Sequence, residues 1–405
     1  MLRRRLLSFA TTLLAAGAAS CAAILGFERL SEDGLPLEDA GVDAADGAAI
    51  QDSSAADQGA PGPCGEIGIV GPPADAAAGT APPLILALRL LDFGVDVDGG
   101  RPDVPGYNLD RACSPTIATS TCTTAVLEST FAKSAADKST AGLDNAGFSL
   151  IEYIGGFSKL LSAESINDGI REGRYGAVLR VTGWNGQLDD DALQIEVFPA
   201  IGILPRDDGG TTGDFDDRWV LDARFEVAPG AGASRVKSDT AWITGGHLVA
   251  RFSSATLPIL LSDDPKPFDM TLTDAILTAE VTTADGGPSL VRGVVAGRWK
   301  TSDFLGQVRT IYVKDGSGLV DKTLCDDDST ARIIYGAVKK EICDARDIRS
   351  DSQDHAEPKQ PCDALSAGMR VEAYPIATLG VFEAGAPIAP RCESDTAVPA
   401  GDDCP

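Results

Sequence analysis

The chain is expected to fold as a mainly β protein, an antiparallel β-sandwich or jelly-roll-like body with a few helices, on three observations. After Gly173, apolar segments of about ten residues follow one another: YGAVLRVTGW, ALQIEVFPAIGI, RWVLDARFEV, TAWITGGHLVARFS, TLPILLS, MTLTDAILTAEVTT and SLVRGVVAGRW. Several alternate, as where Ala177, Leu179 and Val181 face Val178, Arg180 and Thr182, the two-residue period of a strand with one face buried. The segments are divided by turn residues such as Asn185-Gly186 and Asp285-Gly286-Gly287, with no strand–helix alternation that would point to a parallel sheet. A closed barrel satisfies the same pattern. A membrane-spanning barrel does not, because the strands lack a lipid-facing apolar band with aromatic girdles.

The N-terminus reads MLRRRLLSFATTLLAAGAASC. Arg3, Arg4 and Arg5 form a charged start, Leu6 to Gly17 is an apolar run too short to span a bilayer, and Ala18-Ala19-Ser20 are small enough for a signal peptidase cleft, so residues 1–20 are read as a signal peptide. Three small residues followed by Cys21 resemble the lipobox of bacterial lipoproteins, with Ala18 where that family usually carries Leu. The resemblance implies a diacylglycerol on Cys21 and a membrane partnership through that lipid. With Ala22 rather than Asp behind the cysteine, it also implies an outer-membrane protein facing the periplasm or the surface.

Residues 21–83 are expected to be anchor and tether. Ser31 to Pro63 holds eight acidic residues, no Lys or Arg and little to bury, and Gly71 to Pro83 is again Pro, Ala and Gly. The body is expected over 84–320, opening with the core strand LILALRLLDFGV. A helical insertion near 123–170 follows, in which Leu150, Ile151, Ile154, Phe157, Leu160, Leu161 and Ile166 recur at helical spacing. From about Asp303 the pattern is mixed. Phe304 to Val313 and Ala331 to Ile348 read as helices, Met369 to Phe382 as a late strand returning to the sheet, and 321–405 as a cysteine-rich region packed on the body.

Of 405 residues, 34 are basic and 60 acidic. Loss of the three leader arginines leaves 31 against 60, a charge of −29, which excludes a nucleic-acid partner and disfavours electrostatic adhesion to anionic lipid. Nine cysteines are present; with Cys21 lipidated, Cys64, Cys113, Cys122, Cys325, Cys343, Cys362, Cys392 and Cys404 read as up to four disulfides in an oxidising compartment. Proximity favours Cys113 with Cys122 and Cys392 with Cys404, leaving Cys325, Cys343 and Cys362 to pair among themselves or with Cys64. Structural zinc is not expected, since the closest cysteine spacing is nine residues.

Three acidic runs are candidate ion loops. In DFGVDVDGGRPDVPGYNLDRAC, Asp96, Asp98 and Asp103, with Asp92 and Asp110 nearby, supply alternating hard oxygens around a Gly-Gly turn. This resembles thrombospondin-type and dockerin-like aspartate loops and makes calcium the one candidate cofactor, although Gly100 and Tyr107 stand where an EF-type loop needs its third ligand and its bidentate Glu. The other runs are Asp207, Asp208, Asp214, Asp216 and Asp217, and Asp189 to Asp191. Only His247 and His355 are available as neutral-pH bases, and no HExxH, GxSxG, phosphate-binding or dinucleotide motif occurs. The resulting expectation is an envelope protein that works by binding or interaction, with an unknown envelope protein or a glycan as partner. A carbohydrate-binding or carbohydrate-cleaving sandwich, using Trp184, Trp219, Trp242 or Trp299 as stacking surfaces, is the first alternative; a purely structural envelope component is the second.

Overall fold

In the computed structural model the described residues are 69–74, 79, 81–94, 105–110, 122–123, 144–147, 150–151, 163–204, 212–260, 267–284, 287–313, 322–325, 329–351, 360–384 and 404. They are mainly β, as expected. The strands are β1 (Leu84–Asp92), β2 (Gly176–Thr182), β3 (Gln194–Ile203), β4 (Trp219–Asp222), β5 (Val236–Lys237), β6 (Thr240–Thr244), β7 (His247–Leu260), β8 (Pro267–Ala284), β9 (Gly287–Lys300), β10 (Tyr312–Val313), β11 (Lys322–Thr323), β12 (Ala364–Pro375) and β13 (Val381–Glu383). Three helices join them: α1 (Ala163–Arg171), α2 (Thr301–Val308) and α3 (Ser329–Asp344).

All but the short β10–β11 pair belong to one sheet, ordered β13-β4-β3-β2-β1-β12-β9-β8-β7-β6, with β5 also paired to β3. The sheet curls until its β6 end reaches β3, leaving β4 and β13 beyond the closure. β5 and β6 are almost continuous, and between them Ser238 N–H donates to Ile195 O while Asp239 N–H donates to Arg251 O, so this stretch bonds β3 on one side and β7 on the other. The Asp190–Ile243 bridge extends the seam. The two faces expected of a sandwich are thus opposite walls of one curled sheet. It is mixed rather than purely antiparallel because β13 pairs β4 in parallel.

Alternation sets the walls. Ala177, Leu179 and Val181 of β2 point inward and join Leu86, Ile195, Val197, Ile243, Leu248, Ala250 and Leu277 in the main core. TAWITGGHLVARFS, read as one strand, is two: Gly245 and Gly246 take φ of 57° and 80°, a backbone that glycine adopts without cost, and they turn β6 into β7. TLPIL, the described part of TLPILLS, in turn continues β7 instead of forming its own strand.

One end of the barrel is plugged by helices. Asn167 of α1 clasps Leu91 through both of its backbone groups, each at 2.9 Å, and seats Ile166 and Ile170 in the core. At the same end Trp299 stacks on Phe304 of α2 at 3.9 Å between centroids, and Phe268 meets both edge-on. α3 adds Val338, Ile342 and Cys343. At the opposite mouth Leu84, Val181, Trp184, Ile243, Leu248, Val281 and Leu290 converge so closely that about 10 Å³ remains, about the space of a single water centre. This mouth is therefore filled by packed core.

Two outer layers cover the wall. Trp219, Leu221, Ile376, Leu379 and Phe382 lie over Ala87, Val178, Phe198 and Ala200. Tyr107, Leu109 and Ile348 lie over Ile276 and Ala296. The late strand returns to the sheet as expected, β12 lying between β1 and β9.

The expected short-range cysteine pairs do not form. Cys122 bonds Cys362, 240 residues away, and Cys343 bonds Cys404, 61 residues away. Thr123 exchanges backbone bonds with Gln360 and Cys362, so the chain path lays these two segments side by side and overrides sequence proximity. Cys325 is also disulfide-bonded. Cys21, Cys64, Cys113 and Cys392 lie outside the described residues.

Candidate functional site

Among the described residues a buried polar cluster lies on the outer wall of β8, β9 and β12, and Arg298 is its centre. This residue stands in β9 with its side chain 4% exposed, between apolar neighbours Ala296 and Trp299. Its guanidinium donates to Leu109 O at 2.5 Å and to Arg349 O at 2.6 Å, and Nε lies 3.7 Å from Asp274 Oδ2. Asp274 reaches it from an irregularity in β8, where the register shifts between Thr273 and Ile276 and the aspartate takes φ of 47°. Burial pulls the Arg298 guanidinium below its usual value, while Asp274, Asp110, Asp144 and Asp347 act in the opposite direction.

Carboxylates and amides extend the cluster. Asp144 Oδ2 accepts the N–H groups of Leu109 and Asp110 at 2.7 and 3.0 Å. Asn145, fully buried, donates to Pro105 O and Gly368 O and accepts Gly368 N–H. Asp347 accepts the Ser366 N–H at 2.8 Å and also its hydroxyl; that hydroxyl in turn accepts Ala146 N–H at 2.8 Å. Tyr107 pairs with Thr278 through their hydroxyls, and burial pushes the Tyr107 phenol above its usual value. Ser366 thus has carboxylate and backbone partners, and the arrangement secures chain segments to β12.

The residues singled out in sequence are scattered. Asp96, Asp98 and Asp103 lie outside the described residues, as do Asp207, Asp208 and His355. Of their neighbours, Asp92 caps the turn at Gly94 (2.7 Å) and Asp110 joins the Arg298 cluster. Asp217 is fully buried and accepts N–H from Gly213 and Asp214 and the Tyr374 hydroxyl. Asp190 accepts Asn185 and Ala192 N–H, and Asp189 accepts Gly245 N–H. These carboxylates fasten turns with the chain's own donors. Among the described residues no group of three or more His, Cys, Asp or Glu is placed to hold a metal ion. His247 is exposed at the start of β7, opposite Glu280. Trp219, Trp242 and Trp299 are buried, and Trp184 is half-buried at the barrel mouth, donating to Gln187 O.

Sequence reasoning missed Arg298, Asp144, Asn145, Asp347 and Ser366. The one available signal was Arg298 beside Trp299 in the largely apolar strand SLVRGVVAGRW, where a charge that is buried needs partners from elsewhere. No protein-family model, curated protein or solved structure matches the chain.

Proposed function

We propose that the chain is an exported, lipid-anchored cell-envelope protein, carried on Cys21 at the outer membrane, whose barrel binds another envelope component through its outside surface. The observation that carries the reading is the pair of disulfides joining Cys122 to Cys362 and Cys343 to Cys404 in a chain that opens with a signal-like leader and a lipobox-like AASC. Stable disulfides belong to oxidising compartments, which supports export independently of the leader. The packed mouth and the helix-plugged end favour recognition through the wall, the loops and the acidic tether. Glycan stacking, the competing reading, would have to run through Trp184, because the other three indoles are occupied in packing.

The deciding experiment is the unreduced intact mass of the protein from its native membrane fraction, followed by cross-linking in situ. A chain starting at Cys21 with acyl mass, cross-linked to one recurrent protein, supports the proposal. A chain without lipid, free in the medium and retained on a glycan array unless Trp184 is replaced by Ala, replaces it with the glycan reading.

A further inference from the structure

The two bridges whose cysteines are both described differ in how a reagent can reach them. Cys122 and Cys362 are 3% and 1% exposed. Backbone bonds from Thr123 N–H to Gln360 O and from Cys362 N–H to Thr123 O flank them at 2.9 and 3.0 Å, and Cys122 Sγ lies 3.5 Å from Asp347 O. Attack on this bridge requires the two segments to part first. Cys343, on the last turn of α3, is as well covered at 4%, but its partner Cys404 is half-buried.

Cys404 is also held by little besides the bridge. It packs on the edge of the main core, and its backbone makes no hydrogen bond with a described residue. A thiolate opens a disulfide by bonding the sulfur it can reach while the other sulfur departs, so access decides which cysteine is attacked. Here the reachable side is Cys404 and the departing side is Cys343. The surroundings of Cys343 suit that role: the Arg346 guanidinium donates to Cys343 O at 2.7 Å, and the carboxylate of Asp344 on the same turn is paired with Lys340. A cation beside a sulfur favours its thiolate form.

We propose that Cys404 is a thiol-exchange site: a small thiol attacks there and opens the Cys343–Cys404 bridge while the barrel stays closed. The thiolate sulfur bonds Cys404 Sγ, the bond between the two cysteines breaks, and its electron pair leaves on Cys343 Sγ, which takes a proton from water. A second thiolate then displaces Cys404 from the mixed disulfide. The bridge gains two electrons and two protons in all, and the small thiol is oxidised to its own disulfide. Opening frees Cys404 from α3. The sheet seam at Ser238 and Asp239 and the Cys122–Cys362 bridge take no part in the reaction.

The test is graded reduction of the full chain with reduced glutathione at about pH 8, where thiolate is available, followed by alkylation and peptide mapping. The expected result is a glutathionyl adduct on Cys404 and alkylation of Cys343 before either Cys122 or Cys362 is labelled, with the near-ultraviolet dichroism of the tryptophans unchanged. Single variants check access directly. The thiol of Cys404 in Cys343→Ser should react with an aromatic disulfide reagent at least about tenfold faster than that of Cys343 in Cys404→Ser. An adduct on Cys343 instead of Cys404, opening of Cys122–Cys362 first or together with loss of dichroism, or equal rates in the two variants, overturns the proposal. If neither variant folds, the order of labelling in the unmodified chain decides alone.

Discussion

Cys122 and Cys362 are 240 residues apart in sequence, and their Cα atoms are 5.2 Å apart. Their disulfide closes a far longer loop than the 61-residue separation of Cys343 and Cys404. If constraint of the unfolded chain dominates, replacing Cys122 and Cys362 by Ala should cost more than replacing Cys343 and Cys404, by about 1 kcal/mol within a loss of about 2–5 kcal/mol for either. Denaturant midpoints of the two double variants check this. The reverse order would show that local packing of the α3 bridge outweighs loop length.

Trp299 and Phe304 stack at the plugged end of the barrel, with Trp299 at 1% exposure and Phe304 at zero. Trp299→Ala should destabilise by about 3–5 kcal/mol, because the helices above cannot collapse into the space left. Leu188→Ser, at a side chain 61% exposed in the β2–β3 loop, should stay within about 0.5 kcal/mol. Equal effects from the two changes would contradict the assignment of the helical end as core.

Gly368 of β12 lies directly beneath the outer layer: a Cβ there would stand 2.3 Å from Pro105 O and 3.0 Å from Gly106 Cα. Both neighbours are backbone, so the 105–110 segment must move to accept a methyl group. Gly368→Ala should lower stability by about 1–3 kcal/mol and raise exchange at Leu109 and Asp110. Exchange confined to the β1–β2 side would show that the segment does not rest on this strand.

The contrast between strand and layer explains what could be read in advance. β2 announced itself because Ala177, Leu179 and Val181 repeat with the pleat, and the β class followed from many such local patterns. Closure did not, because it depends on Ser238 and Asp239 bonding Ile195 and Arg251 across the seam, contacts with no local periodicity. Cysteine number suggested disulfides, yet Cys122 found Cys362 through chain path. The aspartate runs looked like ligand sets; Asp190 and Asp217 instead turned inward to backbone donors, which composition does not distinguish from an ion site. Arg298 needed partners from four separate stretches of chain, so its cluster was invisible before the fold brought them together.

Tyr374 and Tyr175 carry the alkaline behaviour. The Tyr374 hydroxyl donates to the buried Asp217 at 2.6 Å, and Tyr175 donates to Ile166 O at 2.6 Å. Burial pushes both phenols well above their usual value, and the Asp217 carboxylate raises Tyr374 further. A phenol raised on folding leaves stability level below the unfolded value near 10 and reduces it above, since the unfolded chain releases a proton that the native state retains. Each tyrosine should therefore remove about 1.4 kcal/mol per pH unit above that point until the fold gives way. Ultraviolet titration of the six tyrosines should show these two ionising only with cooperative loss of near-ultraviolet dichroism. In Tyr374→Phe the alkaline slope should fall by one proton, even though the lost bond to Asp217 lowers stability at neutral pH. Phenolate signals from all six appearing near pH 10 with the dichroism intact would place both hydroxyls in solvent and refute the packing described for them.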